Sequence, residues 1–192
     1  RGNGIIGEDI TANVLKMKGL VKELKIKTDE LSLFGEEVLP FTGGIRGEVI
    51  MSHEVRQKYF SDKANCRNAA NGLMKRKDGE GSEHLQIICY DAFFTDTSNY
   101  EYPFKDEVEK MNWLEKIGFT TSPLQLCNSP EEVIDYRVKI MENRKSIPYD
   151  IDGLVIKGKK IDLIDAKRNR PEKQIAFKFS LEEAISVLRD VI

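Results

Sequence analysis

Residues 149–157 read YDIDGLVIK, an Asp-Gly pair followed by an apolar run that closes on a lysine. In a half-buried strand alternate side chains share a face, so Leu154 and Ile156 point one way while Gly153, Val155 and Lys157 point the other. Such a strand carries an ammonium on one face. Two readings account for it. Either the aspartate joins a turn and the lysine snorkels to water, or the lysine grips a phosphate beside an acidic group with other cations and carboxylates nearby.

Working outward, QIAFKF at 174–179 reads as a second strand, with Lys178 set between Phe177 and Phe179. IRGEVIM at 45–51 reads as another, carrying Arg46 and Glu48, and LQIICYDAFF at 85–94 as a strand buried on both faces. Helices are expected over 7–20, after a Ser52 cap to about Lys58, over 104–117 up to Gly118, and over 128–145. The last has a Ser129/Glu132 capping box, Pro130 in its first turn and an apolar face of Val133, Ile134, Tyr136, Ile140 and Met141. Trp113 is assigned to the core. Residues 28–44 suggest an irregular connection or hairpin, and 64–83, ANCRNAANGLMKRKDGEGSE, more loop than element. This irregular order predicts an α+β domain of largely antiparallel sheets with flanking helices, without the βαβ rhythm of a dinucleotide fold.

The 192 residues suffice for one sizeable domain, and 40% hydrophobic with 32% charged residues is a globular composition. With no membrane-length apolar run and no signal-peptide pattern, the chain reads as cytoplasmic, with no membrane partner. It begins on RGNGIIG, glycine-rich loop chemistry, so something is expected to precede Arg1. Cys66, Cys89 and Cys127 are scattered, and His53 and His84 do not pair with them at ligand spacing, so structural zinc is not expected. Net charge is −2, yet KMKGLVKELKIK, KRK, KGKK and AKRNR form local basic patches, which read as phosphate grips or as solvated faces.

Three strand-like segments carry charge in the same manner: Arg46 and Glu48 in RGEVIM, Asp152 and Lys157 in DGLVIK, and Lys178 in AFKF. Burying such charges is costly unless they meet each other or a ligand. Two lysines, an arginine and carboxylates suit phosphoryl transfer, where positioning and charge neutralisation dominate. A buried ion-pair network remains the structural alternative. On the first reading Lys157 and Lys178 should converge on one phosphate.

In order along the chain, RGNGIIGEDITANV, RGEVIM, NCRNAANG, YDIDGLVIK and IAFKFSLEEA resemble the adenylation domain of bacterial NAD-dependent DNA ligases, members of the covalent nucleotidyltransferases. The resemblance covers the whole chain. It implies an ATP-grasp-like nucleotidyltransferase core acting with NAD and Mg2+ on nicked duplex DNA in replication and repair, as a monomer. A lysine attacks the adenylyl phosphorus of NAD, AMP passes to the 5'-phosphate of the nick, and the 3'-hydroxyl displaces AMP. By this resemblance Glu48 contacts the ribose, Asp152 serves the metal and the nucleophilic lysine, and Lys157 and Lys178 neutralise the phosphate. Arg1 and Arg67 bind nucleotide and DNA phosphates, Tyr90 stacks on adenine, and Val155 lines the base pocket. Glu48 and Asp152 are the candidate Mg2+ ligands. Tyr90 read by its own segment alone is rather a core residue of an interior strand.

The family's nucleophile lies in a K-x-D-G motif expected upstream of Arg1, and LRDVI at 188–192 is expected to lead to an OB-fold. Residues 1–192 thus correspond to an adenylation domain lacking the K-x-D-G strand, expected to be inactive alone. KRKDG at 75–79 is a decoy, with Arg76 at the lysine position. Cys66 stands where the family has proline, and Lys75 where an arginine is expected. Rival readings are an ATP-dependent polynucleotide ligase, a capping-type nucleotidyltransferase, or a non-catalytic nucleic-acid or protein-binding module of the same fold.

Overall fold

The computed structural model describes residues 6–23, 43–94, 104–166, 168 and 171–179. Among them lie two antiparallel two-stranded sheets: β1 (Gly43–Ile50) with β2 (Gln86–Phe94), and β3 (Gly153–Lys157) with β4 (Gln174–Lys178). The α+β class with antiparallel pairing is therefore present. The outer edge of β2 is covered, since Ile87 N–H donates to the Lys18 carbonyl at 2.9 Å and Cys89 N–H to Thr120 at 2.8 Å.

The helices are α1 (Thr11–Val14), α2 (His53–Tyr59), α3 (Cys66–Met74), α4 (Glu107–Lys116), α5 (Pro130–Asn143) and α6 (Leu163–Ala166). α2 starts where the Ser52 cap places it, with Val55 N–H donating to Ser52 Oγ at 3.2 Å. The α5 cap also forms, Glu132 N–H donating to Ser129 Oγ at 3.3 Å, while Glu132 Oε2 accepts from Asn128 N–H at 2.7 Å. α4 begins on Asp106, whose Oδ1 accepts from Glu109 N–H at 2.9 Å, and ends at Gly118, whose φ of +100° suits glycine.

Three expectations change. The helix expected over 7–20 is a single turn, because Asp9 Oδ1 caps Thr11 and Val14 and Met17 then pack into the core as the chain turns. The segment expected to be loop holds α3: Asn65 Oδ1 accepts from Asn68 N–H at 2.8 Å, and Cys66, Ala69, Ala70 and Leu73 make a buried stripe of small residues. The apolar face of α5 is not buried among the described residues, Ile134 being 51% exposed. Residues 28–42 of the expected connection lie outside the described residues.

One core gathers Met17, Met51, Cys66, Ala69, Ala70, Leu73 and Leu85 between α3 and the first sheet. A second packs Cys89 and Ala92 of β2 against Met111, Leu114 and Ile117, with Trp113 partly buried against it. Trp113 stacks obliquely on Phe104 and Phe94, at centroid distances of 5.3 and 6.3 Å. The KRKDG turn packs on α1, because buried Asn13 donates Nδ2 hydrogen bonds to the carbonyls of Leu73 at 3.2 Å and Arg76 at 2.9 Å.

Candidate functional site

A bulge in the first sheet decides where Tyr90 goes. Arg46 pairs with Asp91 and Gly47 with Cys89, leaving Tyr90 unmatched. The extra residue re-aims its side chain. Ile88, Cys89, Asp91 and Ala92 are buried, so the strand is buried on both faces as expected except at the bulge, where Tyr90 is 39% exposed and is not a core residue. Partial burial, reinforced by the negative charge of Glu48, raises the Tyr90 phenol above its ordinary value. Glu48 itself is exposed on β1.

Lys157 reaches this bulge from the second sheet. Its ammonium donates to the Tyr90 carbonyl at 3.2 Å and to Glu107 Oε2 at 3.4 Å, and stands 6.0 Å from the Tyr90 ring centroid. Glu107 opens α4, and its other oxygen accepts from Lys110 Nζ at 2.8 Å. Lys110 also meets Asp91 Oδ1 at 2.5 Å, and Asp91 Oδ2 accepts from Arg46 at 3.0 Å. The charges run Arg46, Asp91, Lys110, Glu107, Lys157, joining the two sheets through α4. Lys110 is 2% exposed. Burial pulls its ammonium down, but hydrogen bonds to Asp91 and Glu107 outweigh this and hold it above its ordinary value.

The far end of the β3–β4 hairpin carries the other charges. Gly153 pairs with Lys178 and Lys157 with Gln174, so both lysines lie on one face but at opposite ends, roughly 13 Å apart along the strand. They take different carboxylates. Lys178 Nζ lies 4.0 Å from Asp152 Oδ2, to which Arg67 Nη2 approaches at 3.6 Å. All three side chains are more than 60% exposed, and between the two ends Val155 presents an apolar side chain, 63% exposed. Glycine is needed at 153, because a Cβ there would sit 2.6 Å from the Phe177 carbonyl oxygen and 2.7 Å from Lys178 Cα.

Arg1 lies outside the described residues. Sequence reasoning singled out none of Asp91, Glu107 and Lys110. It also missed Arg137 of α5, which donates to the Lys178 carbonyl from Nε at 3.1 Å and Nη2 at 2.7 Å and stacks over Phe177 at 4.6 Å. An aspartate inside an apolar strand was the one available signal, since burying it demands a cation.

For a nucleotide the residues present fit: Tyr90 offers an exposed ring, Val155 an exposed apolar side chain, and Lys178 and Arg67 exposed cations. For Mg2+ the fit is poor, because Asp152 already lies between Arg67 and Lys178, and Glu48 and Asp152 belong to no multi-ligand cluster among the described residues. No helix among the described residues is long and apolar enough to cross a membrane.

An α+β domain with exposed cations and carboxylates grouped around two antiparallel sheets is the class that fold and surface define. The chain belongs to the NAD-dependent DNA ligase adenylation domain family, whose pattern it matches over residues 1–182. Over its whole length it is 55% identical to a DNA ligase of Treponema denticola and 50% identical to one of Treponema pallidum, covering 30% and 23% of those proteins. A DNA ligase of Bradyrhizobium diazoefficiens is 34% identical, with 27% of it covered. The chain thus spans less than a third of the curated relatives it matches.

Proposed function

We propose that this chain is the nucleotide-binding part of a cytoplasmic DNA ligase that uses NAD as adenylate donor to seal nicks in duplex DNA during replication and repair, on an ATP-grasp-like nucleotidyltransferase core. The observation that carries the reading is the face of the β3–β4 hairpin, where Lys157, Val155 and Lys178 stand in line between Tyr90 at one end and Asp152 with Arg67 at the other. In this reading the Tyr90 ring and Val155 receive the base, Glu48 accepts from the ribose, and Lys157 and Lys178 neutralise phosphate. NAD supplies the adenylyl group. Arg67 presents an exposed guanidinium to nucleotide or DNA phosphate, and Asp152 steadies Arg67 and Lys178.

The attacking lysine is assigned to a K-x-D-G segment of the whole protein preceding Arg1, with residues 1–192 forming the rest of the domain up to the OB-fold. Lys157 is not a second nucleophile in this scheme, because a carboxylate and a carbonyl accept hydrogen bonds from its ammonium. Calorimetric titration of the full-length protein with AMP tests the surface. Tyr90→Ala should weaken AMP binding about tenfold, given roughly 1–3 kcal/mol for a base stacked on an aromatic ring. Unchanged affinity would remove Tyr90 from the base pocket.

A further inference from the structure

On the side of α2 and α3 facing the Asp150 turn, three donor side chains of different chemistry meet. Cys66 Sγ lies 3.5 Å from His53 Nδ1, His53 Nε2 lies 3.6 Å from Asp150 Oδ1, and one donor atom from each residue falls within 4.8 Å of the others. We propose that His53, Cys66 and Asp150 bind a thiophilic divalent cation of the Zn2+ type, with water completing the coordination.

The first support is dimensional. A tetrahedral zinc ion with bonds of about 2.0 Å to nitrogen and about 2.3 Å to sulfur separates those atoms by about 3.5 Å. The sulfur–nitrogen edge of 3.5 Å therefore already has the span a metal needs. With Nδ1 as the ligating nitrogen, the Asp150 carboxylate, which faces Nε2, has to swing to the Nδ1 side, and the exposed Asp150 and half-exposed His53 side chains have room to rotate. Donor type is the second support. Thiolate, imidazole and one carboxylate are a borderline-soft set, whereas Mg2+ and Ca2+ take oxygen ligands in greater number.

The third is scaffold. His53 and Cys66 are the first residues of α2 and α3, each set by a formed cap, and His53 N–H donates to the Pro148 carbonyl at 2.8 Å. Three chain segments are thus already joined where the donors meet. A pocket lined by His53, Arg144, Lys145, Asp150 and Ile151 reaches two of the three donors from solvent. Arg144 and Lys145 would repel an isolated dication. A thiolate and a carboxylate cancel its two charges, so the assembled site is neutral toward them. Without metal, burial first and then the Asp150 charge push the Cys66 thiol above its ordinary range, only partly offset by Arg56. A bound cation would replace that proton.

The position gives the site a consequence. Cys66 precedes Arg67, and Asp150 lies two residues before Asp152, which Arg67 approaches at 3.6 Å. A metal here would hold together the two segments that present this pair. It would act as a staple beside the proposed nucleotide surface, not as part of it.

Metal-stripped full-length protein titrated with Co2+ tests the proposal, because cobalt bound to thiolate shows a charge-transfer absorption. Cys66→Ser should lose one equivalent of Co2+ and the absorption arising from this site, and the difference isolates it from any other metal the whole protein binds. Cys127→Ser should match the parent. Asp150→Asn, an exposed change that should leave the fold intact, should weaken the same equivalent at least tenfold, and excess Mg2+ should not displace it. Equal stoichiometry and spectra for Cys66→Ser and the parent would overturn the site, as would unchanged affinity in Asp150→Asn.

Discussion

Lys157 Nζ stands 3.4 Å from Glu107 Oε2, and through this contact a strand of one sheet meets the helix that packs on the other. Lys157 is 19% exposed and Glu107 13%, so the pair lies at the edge of the interior, where its position is set by more than solvent. Lys110, wholly inside, anchors the same carboxylate.

Glu107→Gln keeps the shape of the side chain and removes its charge. If the full-length protein seals nicks as proposed, its sealing rate should fall about tenfold, and Lys157→Ala should cost less in that background than alone, as for residues acting through one contact. Strict additivity of the two substitutions in a double-mutant cycle would show that Glu107 does not position Lys157.

Lys110→Ala strands Asp91 and Glu107 near the core, leaving Arg46 and Lys157 among the described residues to compensate. Breaking a buried network on one side costs about 3 kcal/mol or more. Urea denaturation of the parent and the variant measures this, and a loss under about 1 kcal/mol would mean that water takes the place of the ammonium.

Lys178→Ala should separate activity from stability. The side chain is 73% exposed and its nearest carboxylate is 4.0 Å away, so unfolding free energy should change by no more than about 0.5 kcal/mol. If Lys178 neutralises phosphate in the transition state, sealing should slow by on the order of a hundredfold. Near-normal sealing kinetics would reject that role.

Gly153→Ala places a methyl group against the β4 backbone, where a carbonyl oxygen is 2.6 Å from the new carbon. The strands must part at the Lys178 end. Overpacking of this kind costs about 1–3 kcal/mol, and amide exchange at Phe179, whose N–H donates to the Asp152 carbonyl at 2.9 Å, should accelerate. Unaltered exchange there would show that the hairpin absorbs the methyl elsewhere.

Acid should loosen the segment leading into β4. A hydrogen bond from Lys173, followed by one from the Asp165 N–H, holds the Asp162 carboxyl down at about 2, below the ordinary 3.8. A depressed carboxyl stabilises the fold at pH above its unfolded value, and that contribution disappears as pH falls from near 3.8 through about 2. Asp162→Asn should flatten the acid limb of thermal stability in this window. Superimposable melting profiles for the two proteins would remove Asp162 from the account.

Periodicity and caps made the strands and the cap-defined helices legible without a structure: Ser52, Ser129 and the alternation through DGLVIK each act within a few residues. α3 escaped because its buried stripe is built of Cys66 and alanines, which register as small rather than apolar until Leu73 and Met17 close around them. The candidate surface divided along the same line. Lys157, Lys178 and Asp152 could be picked out one by one from charge set against apolar neighbours. That the two lysines serve opposite ends of a hairpin followed only from the Gly153–Lys178 register, and the exposure of Tyr90 only from a bulge that needs β1 beside it. Asp91 sits far along the chain from the Glu107/Lys110 pair that meets it, and Asp150 lies farther still from His53 and Cys66. Local sequence carries hydrogen-bond caps and side-chain periodicity, which act over one or two turns. Charge compensation and ligand geometry act through space, so only the folded chain decides which distant donors and acceptors meet.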